Sequence, residues 1–404
     1  MSEQTAKRAE QGKRGFTIPW GEVTVTIGAF VLALLVGAIL MIMTDPNVAG
    51  KYTYFFSRPS DALVASWDKV AGAYSALASG AFGSWVNITN STAEAAPLIC
   101  AGLAVALAFR AGLFNIGAQG QAMWGAILGA WVGFSFAGLP MIIHLPLAII
   151  LGMIGGALWG GLAGFLKAKT GAHEVIVTIM LNYIASLTLA WLLTTQAFLR
   201  PGRSDPIAPI VNWNAAFPRI DGTRLSLGIV LALLAAVATW WLLDRTTLGF
   251  RIRAVGANPN ASATAGMSVS NTTIVTMTIS GALAGLAGVQ YALTPTLLTG
   301  MPPALAGGLI GTVGFDAITV ALLGRSKPLG VVLAGLLFGG LRAGGLTMQA
   351  QAQTPAELTS VLQALIVLFV AAPALVRTIL PFLKQRKKKV DAPASAPTKE
   401  GAAA

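Results

Sequence analysis

Charged side chains are scarce in this sequence. Only 10% of the 404 residues are Asp, Glu, Lys or Arg, whereas 55% are hydrophobic. A water-soluble protein of this length covers its surface with far more charge, so the composition excludes an ordinary soluble domain. Low charge, 46 glycines and long apolar runs together predict a protein whose main solvent is a lipid bilayer.

Cysteine and histidine are also rare. Cys100 lies inside an apolar run, and the two histidines are His144 and His173. One cysteine excludes a disulfide framework, and two histidines are too few for a histidine cluster. The sequence contains no P-loop, no HExxH motif and no paired carboxylates at helical spacing in an apolar run. We therefore expect no enzymatic activity, no ATP hydrolysis by this chain, no metal site and no cofactor.

Long uncharged runs take the place of these motifs. About 20 apolar helical residues cross the hydrocarbon core of a bilayer, and the runs here are continuous rather than alternating as in barrel strands. The sequence therefore predicts an all-α integral membrane protein with about ten transmembrane helices. The predicted helices are 23–43, 95–109, two within 111–166 separated at 138–140, 175–199, 225–243, 269–293, 305–324, 328–346 and 358–380. A short amphipathic helix on the membrane surface is predicted within 59–77.

The formal charge of +12 is concentrated at helix ends and in the tails. We predict a basic tail over 1–22, a transmembrane domain over 23–383 and a basic, disordered tail over 384–404. Ten crossings place both termini on one side, and most of the 27 Lys and Arg residues then share that side. The positive-inside rule predicts cytoplasmic termini in a bacterial cytoplasmic membrane, although loop 200–224 carries four arginines outside. The charge indicates contact with anionic lipid and no nucleic-acid partner.

In this topology, helices 2–5 begin outside and helices 7–10 begin inside. Two four-helix units of inverted topology are common in transporters. Helix 6 and a cytoplasmic segment, 244–268, connect the units. A weak echo between 112–115 (GLFN) and 313–316 (VGFD) agrees with this repeat.

A few polar residues lie close to the apolar spans. Asn115, Gln119 and Gln121 belong to a glycine- and amide-rich stretch typical of an interrupted helix whose freed backbone faces a cavity. Amide hydrogen bonds between helices explain these residues equally well. Asn182 lies two turns beyond Glu174, on the same face of its predicted helix.

Asp316 lies in a long stretch without other charges. A carboxylate at that depth is costly unless it is paired or hydrated, which makes Asp316 a candidate functional residue. Arg342 and Arg110 are its candidate partners. Glu174 has a simpler explanation as an interfacial anchor at a helix N-terminus.

Segment 244–268 is the longest interior segment of soluble character. The sequence predicts a basic loop followed by a short alanine-rich helix, with Pro259 in its first turn and its end near Gly266. Such a helix is too polar to span the membrane, and its small residues offer a docking face. The residues singled out are Arg251, Arg253, Gly256, Asn258, Ala265 and Gly266.

These residues resemble the coupling helix of ABC importer permeases, which docks on an ATPase subunit. Residues 251–258 with Ala265-Gly266 are similar to the branched-chain amino acid and simple-sugar permease family. Residues 114–121 and 174–185 resemble its nucleoside-transport branch, except that Gln119 stands where that branch more usually has Glu. Residues 314–318 and 321–324 complete the resemblance, which covers about 20–382.

The resemblance implies the permease subunit of an ATP-driven importer. Its partners would be a second, shorter permease, a double-cassette ATPase and an extracytoplasmic substrate-binding lipoprotein. The substrate pathway would contain Asn115, Gln119, Gln121, Asn182 and Asp316, whose amides suit a neutral substrate such as a nucleoside. The six residues of 251–266 would couple the pore to the ATPase.

Three alternatives stay open on the sequence alone. The first is a permease for a pentose or another simple sugar. The second is an ion-coupled secondary transporter in which Asp316 and Glu174 titrate. The third, an enzyme of lipid or glycan chemistry, is disfavoured by the dearth of His, Asp and Glu in the spans.

Overall fold

The computed structural model describes residues 20–220, 223, 225–295 and 301–380. Helices dominate, and a single two-stranded sheet occurs in the described residues. The helices are α1 Trp20–Thr44, α2 Pro46–Tyr52, α3 Pro59–Phe82, α4 Trp85–Arg110, α5 Ala118–Ser135, α6 Met141–Thr170, α7 Glu174–Leu192, α8 Leu227–Arg245, α9 Thr247–Ala257, α10 Pro259–Thr264, α11 Val269–Leu293, α12 Val313–Leu323, α13 Pro328–Ala352, α14 Ala356–Ala371 and α15 Pro373–Ile379. The strands are β1 Ile207–Ile210 and β2 Ala304–Ala306.

Seven of the described helices are long and apolar enough to cross a membrane: α1, α4, α6, α7, α8, α11 and α13. The prediction of an all-α membrane protein is confirmed. Three of the ten predicted crossings are shorter helices, namely α5 with 18 residues, α12 with 11 and α14 with 16. The count and orientation of the crossings stay predictions.

Helix α12 corrects the predicted helix over 305–324. At 1.5 Å per residue, its 11 residues extend about 16 Å, roughly half of the hydrocarbon core. Gly308 and Gly311 precede it with φ values of +85° and +55°, a left-handed backbone that ends regular helix on its N-terminal side. Proline has a similar effect in the predicted helix 358–380, which is divided at Ala372 before Pro373.

Other helix boundaries also differ from the prediction. Helix α1 begins at Trp20, three residues before the predicted start at 23; residues 1–19 and the predicted tail 384–404 lie outside the described residues. Helix α7 ends at Leu192 rather than at 199. Helix α4 begins ten residues before the predicted start at 95, because Ser84 Oγ caps it by accepting a hydrogen bond from Asn87 N at 3.1 Å.

Helix α3 was expected to lie on the membrane surface within 59–77. It is instead 24 residues long and packs along α13. The backbones approach closely, since a Cβ placed on Gly344 would lie 2.3 Å from Leu77 O. Small residues at this contact allow two helices to pack without a hydrophobic driving force.

Helices α4 and α11 form the centre of the bundle. Most of their residues are buried, whereas only 28% are buried in the apolar stretches of α7 and α8. The packing is reciprocal: α4 contacts α12 and α13, and α11 contacts α5 and α6. The two predicted four-helix units correspond to α4–α7 and α11–α14. The first helix of each unit therefore packs against the second and third helices of the other unit.

Helices α6 and α11 meet along a seam of glycines. A Cβ on Gly156 would lie 2.3 Å from Gly281 O, and a Cβ on Gly281 would lie 2.2 Å from Gly156 O. The two backbones are therefore in direct contact, which only glycine permits at these positions.

The connecting segments gather at two ends of the bundle. At one end, β1 pairs antiparallel with β2, and Phe217 N donates a hydrogen bond to Leu293 O at 2.9 Å. At the other end, a cavity of about 380 Å³ is bordered by Arg110, Asp244, Arg253 and Lys327. Segments that the predicted topology assigns to the same side of the membrane therefore do meet.

Candidate functional site

The interruption between α4 and α5 is built on Gly112. Its φ of +71° ends α4, and Leu113 N donates a hydrogen bond to Ala108 O at 3.0 Å, as at many helix C-termini. Residues 111–117 are then non-helical, as the sequence predicted.

Four predicted pathway residues meet around this interruption. Asn115 Nδ2 donates to Gln121 Oε1 at 3.1 Å and to Ser280 Oγ at 2.9 Å, while Gln121 Nε2 returns a bond to Asn115 Oδ1 at 3.3 Å. Asn182 Oδ1 accepts from Gly120 N at 2.8 Å, and its Nδ2 donates to Ile116 O at 3.0 Å. The amides thus replace the helical hydrogen bonds that residues 111–117 lack.

Gln119 connects this cluster to α12. Its amide bonds to the backbone of both Gly311 and Gly314. A Cβ on Gly314 would lie only 2.1 Å from Gln119 N, so the first turns of α5 and α12 are in backbone contact. Asn115, Gln119, Gln121 and Asn182 are all at least 92% buried and do not border the large cavity described next.

A cavity of about 630 Å³ opens between α4, α12, α13 and α14. This volume lies within the range of about 300–1,000 Å³ typical of small-molecule sites. Asp316 is the one predicted pathway residue on its wall. The lining residues are Glu94, Thr312, Phe315, Asp316, Thr319, Phe338, Arg342, Gly345, Leu346, Gln349, Thr359, Ser360, Gln363 and Ala364.

Asp316 forms an ion pair with Arg342, as one of the two candidate pairings predicted. Asp316 Oδ2 accepts from Arg342 and from Thr312 Oγ1, and Arg342 Nη1 donates to Tyr291 OH at 3.0 Å. The other candidate, Arg110, instead donates from Nε to Ser326 O at 2.9 Å. Pairing lowers the cost of both charges inside an apolar bundle.

Two polar residues that the sequence analysis did not single out, Glu94 and Gln363, also line this cavity. Glu94 was placed before helix 2, but the earlier start of α4 puts it in the third turn of that helix. Gln363 interrupts the apolar run of predicted helix 10, a signal that was present in the sequence. Glu174 lies elsewhere, at the start of α7, where its Oε2 pairs with Lys167 Nζ at 2.6 Å.

Segment 244–268 corrects one expectation. The predicted basic loop is helical, since α9 extends from Thr247 to Ala257 and Thr246 Oγ1 caps it by accepting from Gly249 N at 3.0 Å. The predicted short helix is α10, with Pro259 at its first position. Asn258 caps α10, because its Oδ1 accepts from Ala261 N at 3.0 Å.

The singled-out residues of this segment divide into two groups. Arg251, Arg253, Asn258, Ala265 and Gly266 are exposed, and Arg253 Nη1 pairs with Asp244 Oδ1 at 3.1 Å. Gly256 instead packs inward: a Cβ there would lie 2.2 Å from Arg110 O. Helix α9 therefore touches the end of α4 just before the interruption at 111–117.

The fold and this site define a class of protein. The described residues combine seven apolar helices of membrane length, an interrupted helix and a cavity with an ion pair on its wall, an arrangement typical of membrane transport proteins. No group of three or more His, Cys, Asp or Glu that could hold a metal ion occurs among the residues described.

The chain belongs to the family of permease components of branched-chain amino acid transport systems, whose family model matches residues 87–371. It is therefore a multi-pass membrane transport subunit and not an enzyme. No solved structure matches the chain.

Several curated permeases are similar over most of their length. The guanosine ABC transporter permease NupP of Bacillus subtilis is 42% identical over 80% of this chain and 92% of its own. The nucleoside ABC transporter permease NupB of Lactococcus lactis is 33% identical over 91% and 95%. The glucose ABC transporter permease TsgB13 of Haloferax volcanii is 33% identical over 83% and 89%. The permeases NupQ and NupC of the two bacteria also match, each at 28% identity, so each bacterium has two permeases that resemble this chain.

Proposed function

We propose that this chain is the membrane-spanning permease subunit of an ATP-driven ABC importer that translocates a nucleoside. The observation that supports this most directly is the similarity to NupP and NupB over four fifths or more of the chain. The large cavity agrees with it, because its polar wall is mainly hydroxyl and amide groups around a single paired arginine. Such a wall suits a neutral solute with many hydrogen-bonding groups.

Within this function, Asp316 would contact the substrate directly. The four buried amides, Asn115, Gln119, Gln121 and Asn182, would form the frame of the pathway. Their hydrogen bonds hold the interruption 111–117 and the start of α12 in fixed positions, which in turn positions Asp316 on the cavity wall.

Coupling to ATP hydrolysis would use α9 and α10. The exposed residues Arg251, Arg253, Asn258, Ala265 and Gly266 would contact a double-cassette ATPase, and the packing of Gly256 against Arg110 would carry movement to the interruption. A second permease subunit, of the kind that accompanies NupP and NupB, would complete the pore. A substrate-binding lipoprotein would deliver the substrate from outside.

We further propose that the protein lies in the bacterial cytoplasmic membrane with both termini in the cytoplasm. The basic residues Arg110, Arg253 and Lys327 border one cavity at the end that carries α9 and α10, as the positive-inside rule requires of a cytoplasmic face.

A simple sugar is the second candidate substrate, favoured by the similarity to TsgB13. Family membership speaks against the ion-coupled alternative. So does Glu174, one of its two titrating groups, because it pairs with Lys167 away from the large cavity.

Uptake by the complete transporter in proteoliposomes tests the proposal. The permease pair, the ATPase and the binding protein would be supplied with labelled guanosine, a pyrimidine nucleoside, ribose and glucose. We expect uptake of nucleosides that requires ATP and is insensitive to a proton ionophore. Uptake of sugars alone would replace the nucleoside assignment, and uptake that needs the proton gradient but no ATPase would refute the ABC assignment.

A matched pair of variants tests the coupling assignment. Ala265→Glu adds a bulky charge to the exposed end of α10 and should abolish uptake and retention of the ATPase during purification. Gly138→Ser, on an exposed turn between α5 and α6, has no atom near its Cβ and should leave both unchanged. Normal uptake by Ala265→Glu would refute the coupling role.

A further inference from the structure

The large cavity contains a hydrogen-bond donor that has no partner. Gln363 on α14 is 91% buried and borders the cavity, yet its Nε2 makes no hydrogen bond within the part of the chain described. A buried amide without a partner destabilises a protein, so such groups usually have a ligand or water in the working protein.

An acceptor without a partner lies on the same cavity wall. Both hydrogen bonds to the Asp316 carboxylate, from Arg342 and Thr312, end on Oδ2. Oδ1 accepts none from the described residues, and the side chain is 24% exposed. Arg342, itself bonded to Tyr291, fixes the orientation of the carboxylate without using its second oxygen.

The charge of the wall restricts what can bind there. Glu94, Asp316 and Arg342 are the charged residues among its described members, so carboxylates outnumber cations. An anionic ligand would meet net repulsion in a partly desolvated site, whereas a neutral ligand would not. A hydroxyl group matches both free positions, because it can donate to a carboxylate oxygen and accept from an amide N–H.

We propose that Asp316 and Gln363 form a subsite for the hydroxyl groups of the sugar moiety of a neutral substrate, with Arg342 as the positioning residue of Asp316. This proposal rests on the proposed transport function and adds an explanation of which substrates the transporter selects. The subsite selects ribose-like hydroxyls over deoxy analogues and rejects phosphorylated forms of the same solute.

The test compares substrates within each variant of the complete transporter. Uptake of a ribonucleoside and of its 2′,3′-dideoxy analogue would be measured as kcat/KM in proteoliposomes. The binding protein also discriminates between these two substrates, but it is the same in every variant, so its contribution cancels when the ratios are compared.

The central variant is Gln363→Met, which keeps the length of the side chain and removes the donor. We expect kcat/KM for the ribonucleoside to fall roughly tenfold, the value of one hydrogen bond to a buried group, and that for the dideoxy analogue to change less than twofold. Gln351→Met is the matched control, because Gln351 lies on the exposed last turn of α13 outside the cavity and should leave both values unchanged.

The outcomes separate this proposal from the general function. An equal fall for both substrates, or no change for either, in a variant that assembles normally would overturn the subsite. If Gln363→Met fails to assemble, Gln363→Leu serves instead, because it also removes the donor with a shorter side chain and should show the same selective loss. A wild-type transporter that carries no nucleoside or sugar at all would refute the proposed function itself.

Discussion

Gln119 uses both ends of its side-chain amide on the segment that leads into α12. Nε2 donates to Gly311 O at 2.7 Å, and Oε1 accepts from Gly314 N at 2.8 Å. The bond to Gly314 is buried and the bond to Gly311 is partly buried, and Asp316 follows two residues after Gly314. The position of the cavity carboxylate is therefore linked directly to the first turn of α5.

The stability of Gln119 variants should depend on how many of these two hydrogen bonds each variant retains. Glutamate can still accept from Gly314 N, but when ionised it cannot donate to Gly311 O; leucine can do neither. We expect stability in the order Gln119, Gln119→Glu, Gln119→Leu, with each lost bond costing about 1–3 kcal/mol. Thermal unfolding of the purified permease in detergent measures this order, and equal midpoints for all three would contradict it.

The contact between Gly256 and Arg110 should be required for coupling. A methyl group on Gly256 would meet Arg110 O and force α9 away from the end of α4. We expect Gly256→Ala to reduce ATP-driven uptake about 5-fold or more while the ATPase subunit still copurifies. Gly72→Ala, which meets no atom within 4 Å, is the control. Full uptake by Gly256→Ala would show that movement reaches the pore by another route.

The glycine seam between α6 and α11 should tolerate no side chain. Gly281→Leu would insert four carbons where the Cβ alone already overlaps Gly156 O. We expect a loss of stability above the 1–3 kcal/mol typical of overpacking, seen as a loss of folded protein in size-exclusion chromatography. Gly50→Ala has open space around its Cβ and should behave as wild type. A monodisperse Gly281→Leu protein would contradict the close approach of the two helices.

The ion pair between Asp45 and Lys69 should make stability depend on acid pH. Their side chains are 2.6 Å apart, and Lys69 also donates to Ala352 O at 2.8 Å, which connects the end of α1 to α3 and α13. The hydrogen bond from Lys69 holds the pKa of Asp45 below its ordinary value. The stabilisation is therefore present above the unfolded pKa of about 3.9 and is lost as pH falls through the lower folded pKa.

Two variants separate the charge of Asp45 from its capping role. Asp45→Asn retains an oxygen that can accept from Asn47 N but loses the ion pair, whereas Asp45→Ala loses both. We expect Asp45→Ala to be less stable than Asp45→Asn by about 1 kcal/mol. Melting temperatures between pH 3 and pH 8 should fall below about pH 4 more steeply in the wild type than in either variant. Parallel curves would show that the pair does not contribute.

The sequence predicted the structure correctly where a single local property determines it. Run length and the absence of charge located the long spans, and the glycines with the amides at 112–121 indicated the interrupted helix. Pro259 and Gly266 bounded α10 closely. In each case the deciding interaction lies within a few residues of the pattern that predicts it.

The remaining features depend on contacts between distant parts of the chain. Helix α3 was predicted as a surface helix because the role of its alanines and glycines, which is to allow close packing against α13, cannot be recognised without the position of α13. Glu94 was not recognised as a cavity residue because α4 begins earlier than predicted. Choosing between Arg342 and Arg110 as the partner of Asp316 required the relative positions of α4, α12 and α13. The same applies to the four amides, whose partners are mostly backbone groups that no side-chain pattern reveals.

The two-stranded sheet at one end of the bundle has a mechanical consequence. Strand β1 follows the first four-helix unit, and strand β2 lies within the second. The hydrogen bond from Phe217 N to Leu293 O, at the end of α11, is a second link between the two units. We expect these links to restrict relative motion of the two units at that end. If α9 is displaced by a partner, the resulting motion should be largest at the opposite end, which carries α9 and α10.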